Sequence, residues 1–116
     1  MIRQVPQEAV KGYFEPVAQL SGAARGALEG AGVVFMEETE FGEAGPTQWA
    51  MVALPGERQY LLVHHYAHPT GFIELRASTS EPSAEEVVAA FAKALGLPEA
   101  DVLWVVAPSD WPPGRT

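Results

Sequence analysis

All three histidines of the chain, His64, His65 and His68, fall within the stretch "YLLVHHYAHPTG". Imidazole is the side chain that changes charge near neutral pH, and it is a common ligand of zinc, copper, iron and nickel. The neighbours of these histidines are strand formers followed by Pro69, so the spacing of His64 and His68 does not read as one helical turn. In an extended chain His64, Tyr66 and His68 share one face and His65 takes the other. The next strand alternates Ile73, Leu75 and Ala77 with Glu74, Arg76 and Ser78. A loop over 67–70 sets His64 opposite Ile73 on the inner face. A loop over 68–70 puts His65 there instead, beside Leu61 and Val63.

A metal centre needs three or more converging ligands. His64 and His68 are the one pair able to share a ligand, and a carboxylate must come from elsewhere. The acidic run "MEETEFGE" holds Glu37, Glu38 and Glu40. These reach the histidines only if the first strand lies beside the third, an arrangement a simple meander does not produce. Nor does the linear spacing pair any histidine with a nucleophile or an orienting carboxylate. The expectation is a strand-and-turn role, with no catalytic residue and no cofactor.

Two other features invite a functional reading. Gly22, Gly26 and Gly30 recur at four-residue spacing in "GAARGALEG". On a helix they line one side and allow another backbone to approach, or they simply weaken the helix by about 1 kcal/mol each. They are not read as a phosphate loop, because the sequence before them reads as helix rather than strand and they come late in that expected helix. Trp111 lies in a Pro-rich tail, "APSDWPPGRT", where a large apolar ring must dock on the protein's own body or on another chain. By contrast, Trp49 and Trp104 sit in strand-like runs and are expected in the core.

Composition bounds the answer further. The chain has 116 residues, 47% of them hydrophobic and 19% charged, enough for one domain with a core over 1–116, with 107–116 expected as an extended or frayed tail. Cysteine is absent, which excludes disulfides and thiolate metal sites. No apolar run approaches the roughly 20 residues of a membrane span, and no signal peptide is legible, so a cytoplasmic location is expected. Seven basic against fifteen acidic residues give a net charge of -8, which disfavours nucleic acid as a partner. The absence of asparagine and the two lysines against five arginines fit a GC-rich genome, and the scarcity of thermolabile residues is one weak mark of a thermophile.

The elements that must position these residues follow from periodicity. "SAEEVVAAFAKALGLP" is a helix: Ala84, Val87, Val88, Phe91, Ala92 and Leu95 form one stripe. Ser83 and Glu86 make a capping box, and Gly96 with Pro98 ends the helix. Four strand-like runs precede it at 33–41, 47–55, 58–66 and 71–79. Short connections, among them a type II turn at "LPGE", force an antiparallel meander. "VLWVVAP" reads as a last strand buried on both faces. Residues before Val33 read as helices broken at Pro16, the second from about Val17 to Glu29.

The expected fold is therefore α+β: N-terminal helices, a four-strand meander, an amphipathic helix and a final strand. The element order in a small acidic chain resembles the type III secretion chaperones. The likeness is of order alone, involves no motif and departs in having four meander strands rather than three, so no residue or function carries over. Two functions from different classes fit. One is a non-enzymatic interaction module, a homodimer presenting a sheet face or the glycine-lined helix. The other is a small-ligand or metal-dependent protein using the histidine strand and a carboxylate.

Overall fold

A computed structural model describes residues 2–6, 12–38, 47–56, 58–66, 71–105 and 111. The protein is a small α+β fold built on one antiparallel sheet. Its strands are β1 (Arg3–Gln4), β2 (Phe14–Ser21), β3 (Met36–Glu38), β4 (Thr47–Ala53), β5 (Gln59–His65), β6 (Phe72–Ser78) and β7 (Val102–Trp104). Among the described residues, two α-helices, α1 (Ala24–Gly30) and α2 (Ala84–Leu95), and a 3-10 turn at Glu99–Asp101 accompany it. The strand order is β1-β4-β5-β6-β2-β7, with β3 also paired to β4. Among the described residues no helix is long and apolar enough to cross a membrane.

The meander from β3 to β6 forms as the alternation requires. At the turn from β4 to β5, Gly56 takes a φ of 91°, the left-handed value a type II turn needs after Pro55. Cross-strand partners build one buried ladder. Tyr60 pairs with Ala77 and Leu62 with Leu75, while Val52 and Ala50 flank Tyr60 and Leu62 from β4. The turn expected over 67–70 lies outside the described residues, as does the loop over 39–46 between β3 and β4.

Helix α2 matches its periodicity closely. The Ser83 hydroxyl accepts a hydrogen bond from the Glu86 amide at 3.2 Å, and Gly96 adopts the left-handed conformation with φ 68°. Ala84, Val87, Val88 and Phe91 are buried. The Phe91 ring lies 4.9 Å from that of Tyr60, whose hydroxyl donates to the Val87 carbonyl at 2.6 Å. Burial pushes the Tyr60 hydroxyl well above its usual pKa, so it stays a donor.

The N-terminal part differs from the helical expectation. Phe14–Ser21 is a strand, and among the described N-terminal residues Ala24–Gly30 is the helical part; much of the short helix expected before Pro16 lies outside the described residues. Val17, Leu20 and Ala24 fit a three-to-four spacing, but Ala18 and Leu20 also alternate with Gln19, and it is this period of two that the sheet uses. Ala18 and Leu20 pair with Leu75 and Ile73 and are buried. Pro16 is tolerated because the register shifts between Pro16 and Ala18, an irregularity that admits proline in a strand. With strands first, the element order no longer parallels that of the secretion chaperones.

The far side of β4 is shared by two short strands, β1 at one end and β3 at the other. The Gln4 carboxamide ties β1 to the segment just before β3. Its Nε2 donates to the Val34 carbonyl at 2.6 Å, and its Oε1 accepts from the Val34 amide at 2.9 Å. A side chain thus stands in for a missing backbone pair.

The last strand is also not as expected. β7 is not a central buried strand but the outermost one beside β2. Leu103, Trp104 and Val105 are 66%, 39% and 44% exposed. A short continuous apolar run does not distinguish a buried strand from an exposed edge.

Candidate functional site

The register of β5 and β6 decides the histidine question. His64 pairs with Ile73 and His65 with Phe72. His64 therefore lies on the helix-covered face, in line with Tyr60 and Leu62, and His65 lies on the opposite face. His68 is outside the described residues.

On the inner face, His64 meets a residue from α1. Arg25 Nη1 lies 2.6 Å from His64 Nδ1 and also donates to Gln48 Oε1 at 2.5 Å. Because an arginine only donates, Nδ1 must be the acceptor, and the neutral ring carries its proton on Nε2. The guanidinium also stacks over Phe35, with Cζ 4.2 Å from the ring centroid. Its Nε is buried without a hydrogen bond, and Glu29 Oε1 lies 3.5 Å away in an i,i+4 ion pair. The rings of Phe35 and Tyr66 stand edge-on to His64, each with its centroid 6.1 Å away.

Burial is the main reason the His64 pKa falls below the ordinary histidine value; the Arg25 and His65 charges add to it, and Glu29 partly opposes them. The ring is thus held neutral with its one lone pair already spent on Arg25. A base or a metal at Nδ1 would have to displace that contact.

On the outer face, His65 stacks on Phe72 with centroids 4.7 Å apart. Its Nε2 lies 3.8 Å from Glu74 Oε2, beyond hydrogen-bond reach, while Glu74 is paired with Arg76. The two adjacent histidines face opposite ways and share no ligand. β3, which carries Glu37 and Glu38, pairs with β4 and not with β5, and Glu40 is outside the described residues. Among the described residues no group of three histidines, cysteines or carboxylates is placed to hold a metal.

The glycines lie at the surface. Gly26 and Gly30 belong to α1, and Gly22 lies in the turn before it, with Gly71 the nearest backbone. A Cβ at Gly26 or Gly30 would meet nothing within 4 Å, so no described part of this chain requires glycine at either position. Trp111 takes the first of its two expected fates. It is 3% exposed, joins the main core and donates from Nε1 to the Glu81 carbonyl at 2.9 Å.

Trp104, expected in the core, instead lines a surface groove of about 500 Å³ between α2 and β7. Val88, Ala89, Ala92, Leu97 and Val102 form most of the remaining lining, and Glu85 is the one charged residue in it. This groove was not foreseen. Its legible signal is Ala89, an apolar residue beside the stripe of α2, next to Val88 and Ala92 at the stripe's margin. The Arg25 cluster was missed too, because its members come together only when α1 docks on the sheet. No protein family, curated protein or solved structure matches this chain.

Proposed function

We propose that this chain is a non-enzymatic interaction module that works as a homodimer, joined through β7 and the groove beside it. The observation that carries the reading is the exposed run Leu103, Trp104 and Val105 on the terminal strand of the sheet. An edge strand is a template for pairing, and proteins that keep one unpaired usually guard it with charge, proline or a bulge. β7 has no charged residue and no proline.

A second copy supports the reading better than other occupants because an antiparallel edge is its own complement across a two-fold axis. Val102 and Trp104 face the groove side, opposite Leu20 and Ala18, and Leu103 faces the other. Two such edges would bring each Trp104 toward its partner's groove. A stable dimer buries about 800 Å² per copy, so the contact must run from the edge onto α2. The glycine row on α1 is a second open surface, but it offers little apolar area.

The net charge of -8 on each copy opposes association, so the dimer tightens as salt is added. Sedimentation across a concentration series at low and high salt tests this. Leu103→Glu sets two like charges across the axis and yields a folded monomer. A wild-type chain that stays monomeric at about 0.5 M salt, where the Debye length is only a few ångströms, refutes the homodimer.

The alternative, a small-ligand or metal-dependent protein using His64, His65 and His68, has weaker support, since Arg25 occupies His64 Nδ1. Dialysis against a chelator separates the two. The melting temperature holds if no metal supports the fold, and a drop of many degrees promotes the alternative.

A further inference from the structure

We infer that the contact between Arg25 and His64 is an acid-sensitive latch holding α1 on the sheet. α1 is only seven residues long, and its N-cap residue, Ala23, supplies no side-chain hydrogen bond. A helix that short does not persist by itself in water. Its attachments are the buried side chains of Ala24 and Leu28 and the guanidinium of Arg25.

The latch depends on one lone pair. Arg25 Nη1 donates to His64 Nδ1 at 2.6 Å, and protonation replaces that acceptor with a second N–H beside a fixed cation. Among the described residues, the charged or titratable groups around His64 are Arg25 and Glu29 from α1 and His65 and Tyr66 from its own strand and turn. β4 contributes Gln48, a neutral acceptor that Arg25 keeps whatever the state of the ring. Glu29, the nearest anion to Arg25, is 56% exposed and offsets only part of the repulsion.

The direction of the response follows. The folded ring binds a proton less readily than the unfolded chain, so the contact contributes fully above pH 6.5, the ordinary histidine value. Its contribution is lost as pH falls below that value toward the folded pKa. Undocking α1 relieves the repulsion, whereas the packing of Tyr60 on Phe91 beneath α2 contains none of these groups. The release is therefore local.

Amide hydrogen exchange of the full chain, corrected for intrinsic rates, tests the latch. Between about pH 7.5 and 5, amides of α1 should gain several-fold in exchange relative to those of α2. His64→Gln retains an acceptor oxygen and does not titrate, so the gain should vanish. Should that variant already loosen α1 at the higher pH, the proton titration of His64 by NMR decides. A value below 6.5 that rises in Arg25→Gln supports the latch, and a value at or above 6.5 overturns it. Equal protection of α1 at both pH values, or a gain that survives in His64→Gln, also overturns it.

Discussion

Trp111 should be worth as much to the fold as a residue at the centre of α2. It is 3% exposed although proline-rich sequence surrounds it, and its Nε1 donates to the Glu81 carbonyl at 2.9 Å. Burying a tryptophan removes about 150–250 Å² from water, which at ~25 cal/mol per Å² is about 4–6 kcal/mol. Water refilling part of the vacated site brings the expected loss for Trp111→Ala to about 3–5 kcal/mol. Set against a total of about 5–15 kcal/mol, that is a large fraction of the stability. Trp111→Phe keeps most of the apolar contact but leaves the Glu81 carbonyl without its donor, at a cost of about 1–2 kcal/mol. Trp104→Ala is the control: this ring is 39% exposed and its loss should cost under about 1 kcal/mol. Urea unfolding followed by far-ultraviolet circular dichroism avoids a signal that itself depends on tryptophan. Equal losses in the two alanine variants, or a loss below about 1 kcal/mol for Trp111→Ala, would refute the assignment of Trp111 to the core.

Phe91→Ala should cost about 3–5 kcal/mol, since its ring is fully buried against Tyr60, while Glu85→Ala on the exposed side should cost under about 0.5 kcal/mol. Thermal melts of the two variants would separate them by roughly 10 °C or more. Gly26→Ala should be neutral or stabilising by up to about 1 kcal/mol, because a Cβ there meets nothing and the position is helical. A urea midpoint that falls with unchanged slope would mean that something approaches that face.

How far this architecture was readable depends on the range of the forces involved. α2 was legible throughout because its signals are local: an apolar stripe, Ser83 with Glu86, and a terminal Gly96. The meander was legible because alternation and short turns leave few alternatives. β2 was not, since Val17, Leu20 and Ala24 satisfy a helical spacing as well as Ala18 and Leu20 satisfy a strand, and only pairing with β6 decides. Trp104 was misplaced because exposure belongs to a strand's place in the sheet, not to its own residues. Trp111 docks on the body of the chain, one of the two outcomes its sequence allowed. The histidine register was narrowed to two choices, and the one observed sets His64 opposite Ile73. Nothing in linear order joins His64 to Arg25, Phe35 and Gln48, so the candidate site's contacts were the least accessible part.

The position of β2 has a consequence for synthesis. Leu20 pairs with Ile73 on one side and with Val102 on the other. A ribosome therefore delivers β2 well before its two neighbours, and Trp111 follows them. At about 5–20 residues per second the strand waits on the order of seconds with Val17 and Leu20 uncovered. Such long-range closure also slows refolding of the finished chain. In a crowded cell, that interval is when β2 is most open to holdases or to adhesion between nascent chains.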